Sequence, residues 1–397
     1  YIVIKLKKAI NQYHIGSFLN VGCGSGTISR ENWQKIFAAI GSETKNTKLQ
    51  IPVIYGIDAI HGNNYTIGAT LFPQQIAQAA TWNPDLVKQG YEVTAYEARA
   101  TGIPWNFSPV LDLGRQPLWS RFFETFGEDV LLANKMTVAA ISGLQGDNQY
   151  SPYHVAACMK HFLGYSMSLS GKDRTPIWLS EREMREYYLP TFQTAIKQGA
   201  KTVMINSADI NGTPVHANYD ILTTVLRNEL GFKGVAVTDW EDIYKLVDMH
   251  HVAANKKEAV YMAIMAGIDM SMTPNDYQFT DLLIELIKEG RIPMTRIDSS
   301  VSRILTLKYE LGLFETKDTQ TKYPLFGSSE HAAKSLAVAS ECITLLKNNK
   351  QTLPLKNKNE SIFVCGPGAN SLNYLNGAWT HTWQGVDTNF NTKNKLT

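Results

Sequence analysis

The sequence predicts an α/β protein: a (β/α)8 TIM-like barrel followed by the opening of a second α/β sandwich domain. Short apolar or β-branched runs alternate with helical patterns through about residue 315, the rhythm of repeated βα units on a parallel sheet. So many units in about 300 residues favour a barrel over an open sheet. No G-x-G-x-x-G opens a helix as a dinucleotide-binding open sheet requires.

Strands are expected at 52–56, 103–113, 155–162, 201–205, 234–238 and 267–272, where apolar or β-branched residues cluster. Helices are expected at 84–100, 128–144, 181–198, 219–230, 257–266, 281–289 and 295–311, several of them stopping at glycine. Residues 1–313 are therefore assigned to the barrel. The chain then turns polar and forms one helical stretch at 330–347, so 314–358 reads as a linker with its helix. A strand at 361–365 running into Gly366-Pro367-Gly368 begins the second domain, 359–397. Some 40 residues of that unit are too few to bury a core of their own, and it is expected to be incomplete. Gly22-Cys23-Gly24-Ser25-Gly26 lacks the Lys-Ser/Thr of a phosphate loop and is expected to be a tight turn.

Composition narrows the function. Lys and Arg total 38 against 36 Asp and Glu, with no run of five like charges, so neither nucleic acid nor an anionic membrane is an expected partner. No window reaches the roughly 18 apolar residues of a membrane span. The chain begins at Tyr1, and Ile2-Val3-Ile4 leads into Lys5, Lys7 and Lys8, so no secretion signal is visible. The 4 cysteines are scattered without C-x-x-C spacing, and Cys158 reads as a small buried residue. His250 and His251 are adjacent and H-E-x-x-H is absent, so no metal and no cofactor is expected. Eight Trp and 18 Tyr would suit a neutral ligand with apolar faces edged by hydroxyls, though aromatic residues also serve as core.

In a barrel, reacting groups gather where strands end. Asp58, Asp112 with Arg115, Lys160 with His161, and Asp239 with Trp240 stand at such ends, and Asp269 interrupts 268–272. A structural ion-pair network and a functional cleft both fit this pattern. Asp239 is the strongest candidate, because Val235-Ala236-Val237-Thr238 would deliver its carboxylate rigidly to the barrel mouth. A carboxylate so held can attack an anomeric carbon if nearby cations such as Lys160 and Arg115 keep it ionised.

Four segments in order, Tyr55-Gly56-Ile57-Asp58-Ala59-Ile60-His61-Gly62, Gly127-Glu128-Asp129, Lys160-His161-Phe162 and Val237-Thr238-Asp239-Trp240, resemble glycoside hydrolase family 3. The likeness runs from about Gly22 to Gln384 and is nearest to the β-glucosidase and β-glucan exohydrolase branch, which removes terminal glucose with retention. The resemblance implies Asp239 as nucleophile, and Asp58, Arg115, Lys160 and His161 as sugar-hydroxyl ligands at the innermost subsite. It further implies Trp240 and Trp383, the latter within Trp379-Thr380-His381-Thr382-Trp383-Gln384-Gly385, as indoles that clamp the next sugar. The implied substrate is a β-glucoside or β-glucan oligosaccharide, and the implied compartment is periplasmic or secreted. Asp173 and Arg174 are expected to shape the site. Glu128 and Asp129 read better as first-turn residues matched to a helix dipole than as catalysts.

Two departures stand out. Leu118 takes the place of a second basic residue in the family's R-D-P-R-W segment, and Asn206 and Ser207 stand where the plant-like branch has Tyr. A retaining mechanism also needs a second carboxyl about 5 to 5.5 Å from the nucleophile. The His-Asp pair of the N-acetylglucosaminidase branch has no counterpart here, since 163–170 reads Leu-Gly-Tyr-Ser-Met-Ser-Leu-Ser. In the glucosidase branch the acid is a glutamate of the second domain, expected beyond residue 397. Two rivals remain: a sugar-binding homologue without catalysis, and a Schiff-base enzyme using Lys160. The sequence sets neither linkage preference nor oligomeric state.

Overall fold

The computed structural model describes residues 2–20, 26–147, 151–315, 322–355 and 361–385. Six parallel strands lie side by side in chain order: β1 Ser17–Leu19, β2 Ile54–Ile57, β3 Trp105–Asn106, β4 Ala156–Phe162, β5 Thr202–Ile205 and β6 Val235–Val237. A bridge from Val237 to Met270 carries the sheet one position further. Helices cross between the strands on the outside: α1 Arg30–Lys45, α2 Pro84–Ala100, α3 Val130–Gln145, α4 Leu189–Lys197, α5 Asp242–Asp248 and α6 Lys256–Ala266; α7 Gln278–Lys288 and α8 Met294–Glu310 follow the Met270 bridge. Between α4 and α5, Asp220–Glu229 is wound as a π-helix. Parallel neighbours need such crossovers, and the result is the expected TIM-like α/β barrel.

Strand side chains alternate between two cores, as period 2 requires. Ile54, Ala156, Cys158, Met204, Val235 and Val237 point inward with Trp105 and Phe107. Tyr55, Ile57, Ala157, Met159, Val203 and Ala236 point outward, where Val87, Tyr91, Met136 and Phe192 of the helices cover them. Helix α8 stops the barrel at its base: Leu307 and Leu311 join the inner core. Its Lys308 Nζ donates to the carbonyls of Gly16 at 2.9 Å and Pro52 at 2.7 Å, just below β1 and β2.

Several expectations shift. The run 103–113 yields only β3 and a bridge from Val110 to Lys160, because Pro109 has no N–H to continue a ladder. Residues 267–272 contribute the single bridge at Met270. Strand β1 and helix α1 were not anticipated; α1 is capped by Ser29 and buries Trp33 and Ile40 within an otherwise polar sequence. Asp269 is a structural hub, taking Arg227 at 2.6 Å, Arg303 at 2.8 Å, Ser300 at 2.6 Å and the Ala236 N–H at 3.0 Å. The glycine segment expected as a turn lies, apart from Gly26, outside the described residues.

Beyond the barrel, α9 Ser329–Glu341 docks against α2 and ends six residues earlier than the helical pattern predicts. Residues 361–365 make no strand pairing among the described residues, a strand being stable only beside a neighbour. Residues 376–385 return to the barrel mouth. Gln74 Nε2 donates to the carbonyls of Asn376 at 3.1 Å and Ala378 at 2.8 Å.

Candidate active site

The inward parity of the strands turns Lys160 of β4 and, just past the ends of β2, β5 and β6, Asp58, Asn206 and Asp239 into the barrel. Thr238 fixes the last of these: its N–H donates to Met270 O at 3.1 Å and its Oγ1 accepts from Met272 N at 2.8 Å. The chain then turns through Glu241, at φ 60°, into α5.

Asp239 Oδ1 accepts the Trp240 N–H at 2.5 Å and lies 3.4 Å from Arg174 Nη2. Its Oδ2 lies 3.3 Å from Ser207 Oγ and 3.8 Å from His161 Nε2. Burial by itself would raise this carboxyl, but the Arg174 guanidinium, Arg121 and the Trp240 N–H outweigh it and hold the group well below the usual carboxylate range. Such a carboxylate is ionised and only partly covered, as a nucleophile must be.

Lys160, 1% exposed, donates to Asp58 Oδ1 at 2.6 Å. Asn20 completes the pair: its Nδ2 donates to Asp58 Oδ2 at 2.8 Å, and its Oδ1 accepts the Asp58 N–H at 2.8 Å. His161 Nδ1 lies 2.8 Å from Asp112 Oδ2, and His161 Nε2 lies 3.2 Å from Arg121 Nη2. Burial, with Arg121 and Lys160 nearby, pushes the imidazole well below its ordinary range, so it is neutral. Its Nδ1–H then donates to Asp112, and its Nε2 accepts from Arg121. Burial raises Asp112 to about 7 against the pull of the His161 backbone N–H. Arg121 is matched by Glu124 through two bonds of 2.9 and 2.8 Å.

Two aromatic walls flank these groups. Trp240 is half-buried against the rim of the inner core. Trp379 is buried with its ring 5.3 Å from Lys160 Nζ, and Trp383 is 52% exposed, its ring 6.5 Å from that of Trp379. His61 secures this loop, its Nε2 lying 2.9 Å from Trp379 O and its Nδ1 2.6 Å from Phe72 O. Carboxylates, cations and indoles arranged in this way can hold the hydroxyls and apolar faces of a neutral polar ligand.

The structure thus gathers Asp58, Lys160, His161 and Asp239, with Trp240 on the strand-end turn beside them. Arg174 joins them directly, anchored by Asp173 at 3.0 Å. Arg115 is not brought to the cluster: its N–H closes a tight turn on Leu113 O at 3.0 Å, and the exposed guanidinium lies 4.0 Å over the Tyr187 ring. Besides Lys160 and Arg174, the cluster holds Arg121, to which sequence reasoning gave no role, as it gave none to Glu124, Asn20 and Trp379. The readable signal for it was an Arg and a Glu three apart directly after Trp119-Ser120. Asp129 is the N-cap of α3, accepting Leu132 N at 2.7 Å, and the exposed Glu128 precedes it, so both stand just outside the first turn in which the sequence reading placed them. Among the described residues, no group of three His, Cys, Asp or Glu could hold a metal, and no helix is long and apolar enough to cross a membrane.

Known proteins resemble this chain closely. It is 45% identical over 391 residues to a lysosomal beta glucosidase of Dictyostelium discoideum, covering 94% of this chain and 48% of that protein. It is 34% identical over 341 residues to a periplasmic beta-glucosidase of Salmonella typhimurium, covering 84% and 43%. The crystal structure of an exo-1,3/1,4-beta-glucanase from a Pseudoalteromonas species superposes with a TM-score of 0.88 at 32% identity, covering 97% of this chain and 49% of that one. A beta-glucosidase from Listeria innocua in complex with glucose superposes with a TM-score of 0.84 at 33% identity, covering 97% and 51%. The chain spans about half the length of these relatives. Residues 3–307 match the profile of the glycosyl hydrolase family 3 N terminal domain, so this chain belongs to glycosyl hydrolase family 3.

Proposed function

We propose that this chain carries the nucleophile of a retaining, exo-acting β-glycosidase that releases terminal glucose through a covalent glycosyl–Asp239 intermediate. The observation that carries the reading is the ionised Asp239 carboxylate, held between Arg174 and the Trp240 N–H beside the Asp58–Lys160 pair. Asp58, Lys160, His161 and Arg121 bind the sugar hydroxyls, while Trp240 and Trp383 take the faces of the next sugar unit. Arg115 stays a candidate only for a more distant subsite, since it lies on Tyr187. The Listeria innocua enzyme, with glucose bound and as a mutant with laminaribiose, supports a β-glucoside or β-glucan as substrate.

On this reading, 1–313 is the catalytic barrel, 314–358 a linker with its helix, and 359–397 the start of a second domain. That domain supplies the acid/base glutamate from beyond residue 397. A relative named periplasmic supports a periplasmic or secreted location, which cell fractionation checks.

The test is to incubate the full-length protein with 2-deoxy-2-fluoroglucosyl fluoride and map the label. The label is expected on Asp239, and any other position refutes the assignment. The 397-residue chain alone is expected to turn over an aryl β-glucoside about 10²- to 10⁴-fold more slowly than the full-length protein, the usual loss when an acid/base is removed. Equal rates would refute the placement of that glutamate.

A further inference from the structure

We infer that Oδ2 of Asp239 is the attacking oxygen, and that Ser207 is a positioning residue whose hydroxyl is shared between Asp239 and Asp242. This rests on the retaining mechanism proposed above. An oxygen must shed its donors before it bonds to carbon, and the two oxygens of Asp239 differ in what they would shed. Oδ1 takes a backbone N–H at 2.5 Å and faces Arg174 Nη2 at 3.4 Å. Neither donor is mobile: Arg174 is held by Asp173 at 3.0 Å, which in turn accepts the Tyr165 hydroxyl at 2.6 Å. Oδ2 has only the Ser207 hydroxyl at 3.3 Å and the neutral His161 at 3.8 Å.

Ser207 is 1% exposed, and its Oγ also lies 2.6 Å from Asp242 Oδ2. One hydroxyl carries one proton, so it serves one carboxylate at a time. Asp242 tolerates its departure, because its Oδ1 takes Lys245 Nζ at 2.6 Å. The hydroxyl is therefore a rotor with two acceptors, one of which changes charge during the reaction.

In the first half-reaction a lone pair of Oδ2 bonds to the anomeric carbon as the bond to the aglycone oxygen breaks. That oxygen keeps the electron pair and takes a proton from the carboxylic acid partner. Asp239 is now a neutral ester, and the Ser207 proton rests on Asp242. In the second half, the oxygen of a water bonds to the anomeric carbon and gives its proton to the same partner. The electron pair of the carbon–Oδ2 bond returns to Asp239, and the Ser207 proton swings to meet the returning charge. A donor used in this way assists the second half and leaves the first nearly unchanged, whereas general damage to the site slows both.

The experiment compares the full-length wild type with Ser207→Ala on 2,4-dinitrophenyl β-glucoside, where the second half limits kcat, and on phenyl β-glucoside, where the first half does. A hydrogen bond to a charged group predicts a fall of about tenfold in kcat on the dinitrophenyl substrate, with a lower KM and a burst of dinitrophenol. On phenyl β-glucoside, kcat/KM stays within about twofold of the wild type. Ser207→Thr, which keeps the hydroxyl, retains the wild-type kcat. Ser207→Cys, of similar size but a weak donor, reproduces the split even where the alanine variant fails to fold. Proportional losses on both substrates, or no loss on either, overturn the role of Ser207 while a fluoroglucosyl label on Asp239 leaves the mechanism standing. A label elsewhere overturns the mechanism and this inference together.

Discussion

Arg121 is buried with its Nε and Nη2 on Glu124, so its removal strands a charge. Arg121→Met is expected to lower stability by about 3–5 kcal/mol in urea denaturation, because Glu124 is left buried without its cation. Arg115→Ala, at an exposed position, should change stability by no more than about 0.5 kcal/mol. Behind the nucleophile, burial lowers His216 to about 4 from an ordinary 6.5. The unfolded chain therefore takes up a proton near pH 6.5 that the folded chain refuses until about pH 4. The stability tied to the neutral imidazole is complete above 6.5 and is lost as the pH falls through that window, by about 3 kcal/mol in all. His216→Gln should flatten this slope in denaturation curves taken between pH 7 and 4; identical slopes would mean that the folded protein protonates His216 freely. Asp239, Asp58 and Lys160 were legible in the sequence because strand ends in a barrel converge. Arg121 was not, because a short turn at Phe122–Glu124, which no periodicity announces, sets its position.

Helices α2 and α3 approach at Gly143, where a Cβ would stand 2.5 Å from the Lys88 carbonyl and 2.8 Å from the Tyr91 Cβ. Gly143→Ala must push the two helices apart, with an expected loss of about 1–3 kcal/mol measurable as a lower midpoint of thermal or urea unfolding. Helix α2 was legible to the residue, because Asn83 caps it by accepting Leu86 N and Pro84 occupies its first turn. Strand β1 was not, being three residues long and placed by its pairing with β2, and β3 was read only as part of a longer strand, being two residues long between β2 and β4. The run at 103–113 looked like one strand because its apolar residues continue past Pro109 as core while its ladder does not.

Across the whole molecule, Glu97 on α2 ties the segment that follows the barrel. Its carboxylate accepts from Thr70 N at 2.6 Å and Gly327 N at 3.0 Å, and it meets His331 Nδ1 at 2.7 Å on α9. Glu97→Ala should speed hydrogen exchange of the α9 amides while those of β4 remain protected, since β4 lies in the core and α9 rests on this anchor. Unchanged protection of α9 would assign its docking to Val338 packing and to the Ser335–Leu71 and Asn83–Glu341 bonds. These long-range ties were invisible in the sequence, where Glu97 and His331 stand 234 positions apart.

The stopper helix carries a consequence for the order of assembly. Lys308 grips carbonyls 292 and 256 positions earlier in the chain, so the base of the barrel stays open until almost the entire barrel sequence has been made. Contacts of such separation form slowly. Helix α8 is then the latch of folding as well as the floor of the barrel, and its loss would be felt first as poor yield.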